Sequence, residues 1–387
     1  MLDIIMIVVL VIYFFSGLSK GFFVSLGTLG GFLLGALAAF YVTPWVISQV
    51  SASWHLMAAI MSILGCIIVG QWLGFLLGRS IRRFSDATPL RGLERAAGGL
   101  LNLLVCSFVM VIIVLTVRPL AIPQISTALA DSKVVAALLT LTPESLQGQI
   151  SDIRSQVISS GAIPEVTDLL YPSQDAPQEL LTNPNLVEAS DSVVQILGAA
   201  QKCNYTSEGS GFVAAQGYVV TNAHVLAGVT QPVIQSRNAS TATGTVVYYD
   251  TAQDLAIIRA PELQLAPLEV GQDVPAGTTV SFMGYPQGGP FQNRTALVQG
   301  MGYTQTIDAT SGQANPSRLV YQLAADVEQG NSGGPVLNEA GQVVGVIFAK
   351  ATQGQTGYAI PAEALKLALN GVETYRDQVY TGSCSRQ

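Results

Sequence analysis

Charged side chains are scarce in this chain. Only 11% of its 387 residues are Asp, Glu, Lys or Arg, against about 25% in an ordinary soluble domain, and mean hydropathy is +0.44. That excludes a wholly water-soluble protein and places part of the chain in lipid. Positive charge is scarcer still, at 18 Lys and Arg against 25 Asp and Glu, and it is unevenly spread. Residues 1–120 hold seven Lys or Arg against three Asp or Glu, and the remaining residues hold eleven against twenty-two. A basic apolar part joined to an acidic one implies two domains in two environments. Nucleic-acid binding is excluded for the acidic part, since it needs a basic surface. Histidine is nearly absent: His55 and His224 are the only two. No histidine-based metal cluster can be built beyond the apolar part, and no cofactor is implied.

Four apolar runs stand out, at about 3–19, 22–42, 55–78 and 97–117. Each is long enough to cross roughly 30 Å of hydrocarbon as a helix. The first lacks a basic start and Lys20-Gly21 leads straight into the next run, which argues against a cleaved signal peptide. Lys20 follows the first run, and Arg79, Arg82, Arg83, Arg91 and Arg95 lie between the third and fourth, whereas 43–54 has no Lys or Arg. The positive-inside rule then predicts a cytoplasmic arginine loop, an external N-terminus and export of everything after Arg118. No Asp, Glu, Lys or Arg lies deep in a span and Gln71 is the only strongly polar side chain there, unlike a pump or ion-coupled carrier. Gly27, Gly31 and Gly35, and Gly70, Gly74 and Gly78, recur at four-residue spacing, which predicts close helix packing within the four-span unit.

Beyond the spans, Val134, Val135, Leu138, Leu139 and Leu141 recur at helical spacing, and Thr142-Pro143-Glu144 reads as a helix start. One or two amphipathic helices are expected over 124–160. Pro164, Pro172, Pro177 and Pro184 among polar residues predict an extended tether over 161–190. The domain division is therefore 1–120 in the membrane, 121–190 as connector and 191–387 as the exported domain. Cys66 and Cys106 fall in spans and read as small apolar residues. Cys203 and Cys384 bracket the exported domain, where an oxidised pair is expected. A bridge closing roughly 180 residues contributes up to about 5 kcal/mol in the chain-entropy model.

From about 190 the pattern becomes short strands divided by Gly, Asn and Pro turns, as in an all-β barrel or sandwich. Residues 209–213 and 217–220 read as a hairpin that delivers His224 just beyond it, and 243–249, 255–258, 336–337 and 342–348 as further strands. Three fragments carry chemistry in the order His, Asp, Ser: Thr221-Asn222-Ala223-His224-Val225, Gln253-Asp254-Leu255-Ala256 and Gly330-Asn331-Ser332-Gly333-Gly334-Pro335. Acyl transfer needs a hydroxyl nucleophile, an imidazole to take its proton and a carboxylate to fix the imidazole tautomer. It also needs backbone N–H groups aimed at the developing oxyanion, and the glycines about Ser332 allow the tight turn that brings those of Gly330 and Ser332 together. Asp250 is a nearby competitor to Asp254.

The stretches GSGFV, GYVVTNAHVL, QDLAIIR, GNSGGPV, GQVVGVIF and GYAIP, within about 195–375, resemble trypsin-like proteases of the bacterial HtrA-like form. That resemblance implies two six-stranded barrels, with His224 as general base, Asp254 as its orienting partner, Ser332 as nucleophile and the Gly330 and Ser332 amides as oxyanion hole. The whole chain resembles the MarP-type proteases, a CvpA-like four-helix membrane domain joined to a trypsin-like domain. It implies protein substrates in the cell envelope and a part in surviving acid or oxidative stress. Asp326, six residues before Ser332, stands where trypsin-like enzymes keep the acid that selects Lys or Arg; a structural role for Asp326 or Glu328 is the alternative. Two departures are notable. Asn331 replaces the acid that pairs with a freshly cut N-terminus in digestive relatives, and the short tail after Cys384 leaves no room for a PDZ domain. Regulation is then expected from loop ordering, the disulfide or the membrane domain. Two other functional classes stay open, a silent protease-like sensing module and an export factor with an accessory protease.

Overall fold

The computed structural model describes residues 2–50, 55–85, 91–117, 128–129, 132–143, 145–147, 149–150, 164–166, 169–200, 205–237, 240–305, 317–351 and 354–382. Two compact units emerge, divided at Ile112. In the first, four helices run over α1 (Leu2–Lys20), α2 (Phe22–Ile47), α3 (His55–Ser85) and α4 (Arg91–Val117). All four are long and apolar enough to cross a membrane. They outrun the apolar sequence: Arg79, Arg82 and Arg83 lie on α3, and Arg91 and Arg95 on α4. All five arginines expected in a loop are thus carried by helix ends. Arg82 donates to the carbonyls of Ser19 and Lys20, satisfying oxygens left free at the end of α1.

The two glycine rows face each other across α2 and α3. A Cβ on Gly31 would lie 2.1 Å from the Gly70 carbonyl oxygen, and one on Gly74 would lie 2.0 Å from that of Gly27. Backbones this close have no room for a side chain, so the stripe is used for packing inside the chain.

In the second unit, Ser132 caps a helix at Lys133–Leu141 by accepting from the Val135 N–H at 3.1 Å. Thr142 closes that helix rather than starting one, and helical residues resume at 145–147 and 149–150. The expected tether is extended but not free. Its strand β1 (Glu165–Val166) pairs in parallel with Lys350 and Ala351. Gln322 then accepts from the N–H groups of Leu170 and Tyr171 through Oε1 and donates to the Tyr171 carbonyl. Gln299 donates to the Pro172 carbonyl, Gln355 accepts from Ala176 N–H and Thr295 Oγ1 accepts from Leu181 N–H. Proline composition alone favoured a solvated linker; side-chain amides on the neighbouring strands supply the partners that its backbone needs. A short helix, Pro184–Ser190, follows with Asn183 as its cap.

The first sheet comprises β2 (Val193–Ala200), β3 (Tyr205–Ala215), β4 (Tyr218–Thr221), β5 (Val233–Ser236), β6 (Thr241–Thr243), β7 (Thr245–Asp250) and β8 (Leu255–Arg259), in the order β6-β5-β2-β3-β4-β8-β7. Its two edge strands are consecutive pieces of chain that bend at Gly244, and the sheet curls into a half-barrel; of the two six-stranded barrels expected, this one has seven strands and no closing pairing among the described residues. A Cβ at Gly244 would fall 2.2 Å from the Ile258 side chain, which explains the residue at the bend. The second sheet comprises β9 (Thr279–Gly284), β10 (Gln292–Thr304), β11 (Arg318–Ala324), β12 (Pro335–Leu337), β13 (Val343–Ala351) and β14 (Thr356–Pro361), closed by β13–β14 pairing into a six-stranded barrel with β1 added at the side. Val194, Ile196, Val219, Ile234, Val246 and Ile258 fill the half-barrel, and Val280, Phe282, Val298, Tyr321, Val336 and Ile347 the closed barrel. A third cluster that includes Phe212, Val220, Tyr285, Phe348 and Tyr358 joins residues of both.

Candidate active site

The hairpin of β3 and β4 carries the chain to a single 3-10 turn, His224–Leu226. His224 Nδ1 lies 2.8 Å from Asp254 Oδ2, and the His224 backbone N–H donates to Asp254 Oδ1 at 2.9 Å. With Nδ1–H donated to the carboxylate, Nε2 is left as the basic nitrogen. Asp254 reaches this position through a left-handed backbone, φ +54°, a conformation that Asp tolerates better than most side chains. Asn222 donates to the Asp254 carbonyl at 2.8 Å and braces the turn.

Asp250 does something else. Its Oδ1 accepts from the N–H groups of Ala252 and Gln253, a side-chain turn that ends β7. The alternative acid is therefore the turn-maker and Asp254 the histidine's partner.

Ser332 lies in the loop before β12 and is only 2% exposed. Among the described residues its Oγ has no hydrogen-bond partner, so no bond to His224 Nε2 is made. Gly330 (φ +92°) and Gly333 (φ +85°) take the left-handed backbone that makes the loop tight. Among the described residues, no acceptor is paired with the N–H of Gly330 or Ser332.

Two residues that sequence reasoning did not single out hold this arrangement. Ser210, on β3, donates its N–H to the Ser332 carbonyl at 2.8 Å and its Oγ–H to the Gly330 carbonyl at 2.6 Å, and its Oγ accepts from Tyr285 N–H at 2.9 Å. The motif GSGFV contains it, but its partners lie 75 and 120 residues away. Arg318 is 4% exposed, with its guanidinium 4.3 Å above the Phe348 ring and Nη1 donating to the Ala252 carbonyl. Burial lowers its pKa, and the carboxylates of Asp254 and Asp250 act in the opposite sense. A buried cation thus sits in the field of the carboxylate that holds His224. A lone Arg opening an apolar strand carried no signal of this.

Asp326 stands at the surface, its side chain 56% exposed and its Oδ2 3.4 Å from Arg294 Nη1. Val327, the next residue, is buried. Cys203 and Cys384 lie outside the described residues, while Cys66 and Cys106 are free thiols. No group of three His, Cys, Asp or Glu side chains converges among the described residues.

Residues 209–346 match the family described as trypsin-like peptidase domain, and residues 2–143 match colicin V production protein. Serine protease Rv3671c of Mycobacterium tuberculosis is 31% identical over 398 aligned residues, covering 99% of this chain and 98% of that protein. This chain belongs to the same family of serine proteases. The protease is a trypsin-like serine endopeptidase of the HtrA type with a CvpA-like membrane region. The crystal structure of the active form of the Rv3671c protease covers 58% of this chain and 99% of its own, at 32% identity and a TM-score of 0.53. The Do-like HtrA of Lactobacillus helveticus is 31% identical over 223 residues, 55% of this chain and 52% of that protein.

Proposed function

We propose that His224, Asp254 and Ser332 are the catalytic triad of a multi-pass membrane protease that acts on proteins of the cell envelope, outside the cytoplasm. The observation that carries the assignment is the doubly bonded His224–Asp254 pair beside a buried, unpartnered Ser332 hydroxyl. Nε2 of His224 takes the Ser332 proton as Oγ attacks the scissile carbonyl. The carbonyl oxygen becomes an oxyanion between the N–H groups of Gly330 and Ser332. His224 then returns the proton to the leaving amine, and water releases the acyl group by the same steps in reverse. Asp254 keeps the imidazole in the required tautomer throughout.

The orientation is supported by the clustering of Lys20 and Arg82 at one end of the helical unit, where Arg82 bonds the end of α1. That end is assigned to the cytoplasm, which puts the chain beyond α4 outside. A bridge between Cys203 and Cys384 fits the described flanks. Thr381 bonds Gly228 and Val229, and the Val229 side chain lies against Gly198 on the strand leading toward Cys203. The division into 1–120, 121–190 and 191–387 is kept, with the connector's 164–181 bonded to the protease strands. A role in resisting acid or oxidative stress follows from the MarP-type resemblance. Asp326 would favour cleavage after Lys or Arg; with Arg294 already beside it and Val327 directed inward, cleavage after an apolar residue is the competing outcome, and a peptide library varied at that residue decides.

The test is fluorophosphonate labelling of the full-length protein in membranes, at neutral and acidic pH, beside Ser332→Ala and His224→Ala. Labelling of the unmutated protein alone supports the triad. Equal labelling of Ser332→Ala overturns it. Survival of cells carrying Ser332→Ala under acid or peroxide would instead support a non-catalytic module or export factor.

A further inference from the structure

Asn331 cannot make the ion pair by which a freshly cut N-terminus orders this loop in digestive relatives. Its Oδ1 instead accepts from the Glu328 N–H at 2.9 Å, while its own N–H donates to the Glu328 carbonyl at 3.1 Å. The loop is thereby closed on Glu328, and Glu328 is gripped in turn. Its Oε1 receives Arg294 Nη2 at 2.6 Å and its Oε2 receives Gln287 Nε2 at 3.2 Å. Arg294 projects from β10 and spends its remaining donors on the same loop and its own strand. Nη1 bonds the Asp326 carbonyl at 2.8 Å, and Nε bonds Gln292 at 2.8 Å.

Gln287 links this grip to the oxyanion hole. Its backbone N–H donates to the Gln329 carbonyl. The Gln329–Gly330 peptide is planar and trans, so its C=O and N–H point in opposite directions. Holding the carbonyl oxygen toward Gln287 turns the Gly330 N–H away from the 285–289 loop. Gly330 is packed against the same loop: a Cβ there would lie 2.3 Å from the Tyr285 carbonyl oxygen, so only glycine fits this close approach. Gln287 is itself in left-handed backbone, φ 53° and ψ 26°, a conformation a non-glycine residue keeps only when its surroundings impose it.

We propose that Arg294 and Glu328 are positioning residues of the oxyanion hole, a built-in ion pair that aims the Gly330 N–H and does the work that N-terminal cleavage does elsewhere. This rests on the assignment of the Gly330 and Ser332 amides as oxyanion donors. Neither residue touches substrate; both act through Gln287 and the 329–330 peptide. The guanidinium fork matters as well as the charge, since one plane must reach both the Asp326 carbonyl and the Glu328 carboxylate.

The experiment compares Arg294→Gln, Arg294→Lys, Glu328→Gln and the double variant with the unmutated full-length protein in detergent, each with active sites titrated and Tm recorded. Complete removal of an oxyanion donor costs on the order of 10²–10³ in kcat. Misaiming one donor is expected to lower kcat per titrated site by about 10–100-fold, with KM changed less than about threefold, because the hole binds the transition state and not the ground state. Arg294→Lys is expected in between, and the double variant no worse than the poorer single, because both break one link. Unchanged kcat per titrated site in Arg294→Gln and Glu328→Gln, with only Tm lowered, overturns the proposal, as do losses that multiply in the double variant. Ser332→Ala separates the two levels. If it keeps activity, the assignment of the site falls and the proposal with it; if it is inactive while the latch variants keep full kcat, the latch alone falls.

Discussion

Gly30 and Gly31 are sequence neighbours with opposite expectations. Alanine at Gly31 would place Cβ 2.1 Å from the Gly70 carbonyl oxygen and 2.8 Å from its carbon, whereas at Gly30 nothing lies within 4 Å. A tolerable contact needs at least about 3.2 Å, so α2 and α3 must separate by about 1 Å around Gly31. A radial gap of that size forfeits a quarter to a half of each contact's dispersion well. Overpacking a tight site costs about 1–3 kcal/mol, a factor of about 5–150 in the folded ratio. Gly30→Ala removes a flexible residue from a helix interior and is expected to be neutral or stabilising by up to about 1 kcal/mol. The assay is SDS-induced unfolding of the purified full-length protein followed by far-UV circular dichroism. Gly70→Ala should behave as Gly31→Ala and Gly65→Ala, also in open space, as Gly30→Ala. Equal midpoints for Gly31→Ala and Gly30→Ala would refute the close approach of the two helices.

Asp254→Asn should keep the fold, since Asn tolerates the left-handed backbone, yet lower kcat by about 10⁴ through loss of the correct imidazole tautomer; kinetics beside circular dichroism check both. Gln322→Leu leaves three backbone partners on Leu170 and Tyr171 unmatched, and should raise hydrogen exchange over 169–176 while the barrel strands stay protected; unchanged exchange there would show the strap is held otherwise. Burial, then the Asp250 carboxylate, push the Tyr248 hydroxyl up to about 12. Its folded-state pKa exceeds the usual tyrosine value, so this contribution is whole below about pH 10 and is lost as pH rises toward 12; Tyr248→Phe should flatten the fall in Tm over that window.

The His224–Asp254 pair and the tight Ser332 loop were legible because their signals are local. His224 follows a strand, Asp254 precedes one, and the glycines that shape the Ser332 loop adjoin it. The spans were legible from length and hydropathy, and the facing glycines from spacing alone. What stayed hidden joins distant positions. Ser210 meets Gly330, Arg294 meets Glu328 and Gln322 meets Tyr171, and nothing in a single polar residue says which backbone group it will find. Pro-rich composition likewise reports that a segment cannot form regular ladders, not whether side chains elsewhere will hold it. The arginines were read as loop residues because hydropathy ends where the hydrocarbon does, whereas a helix continues into water.

The strap has a mechanical consequence. The Pro164 carbonyl accepts from Lys350 N–H on β13, and three residues back along that strand Ile347 exchanges hydrogen bonds with Gly333 and Gly334 of the nucleophile loop. Tension on the chain before residue 164 therefore reaches β13 first, the same strand that holds the Ser332 loop and that is laced to β14 from Lys350 onward.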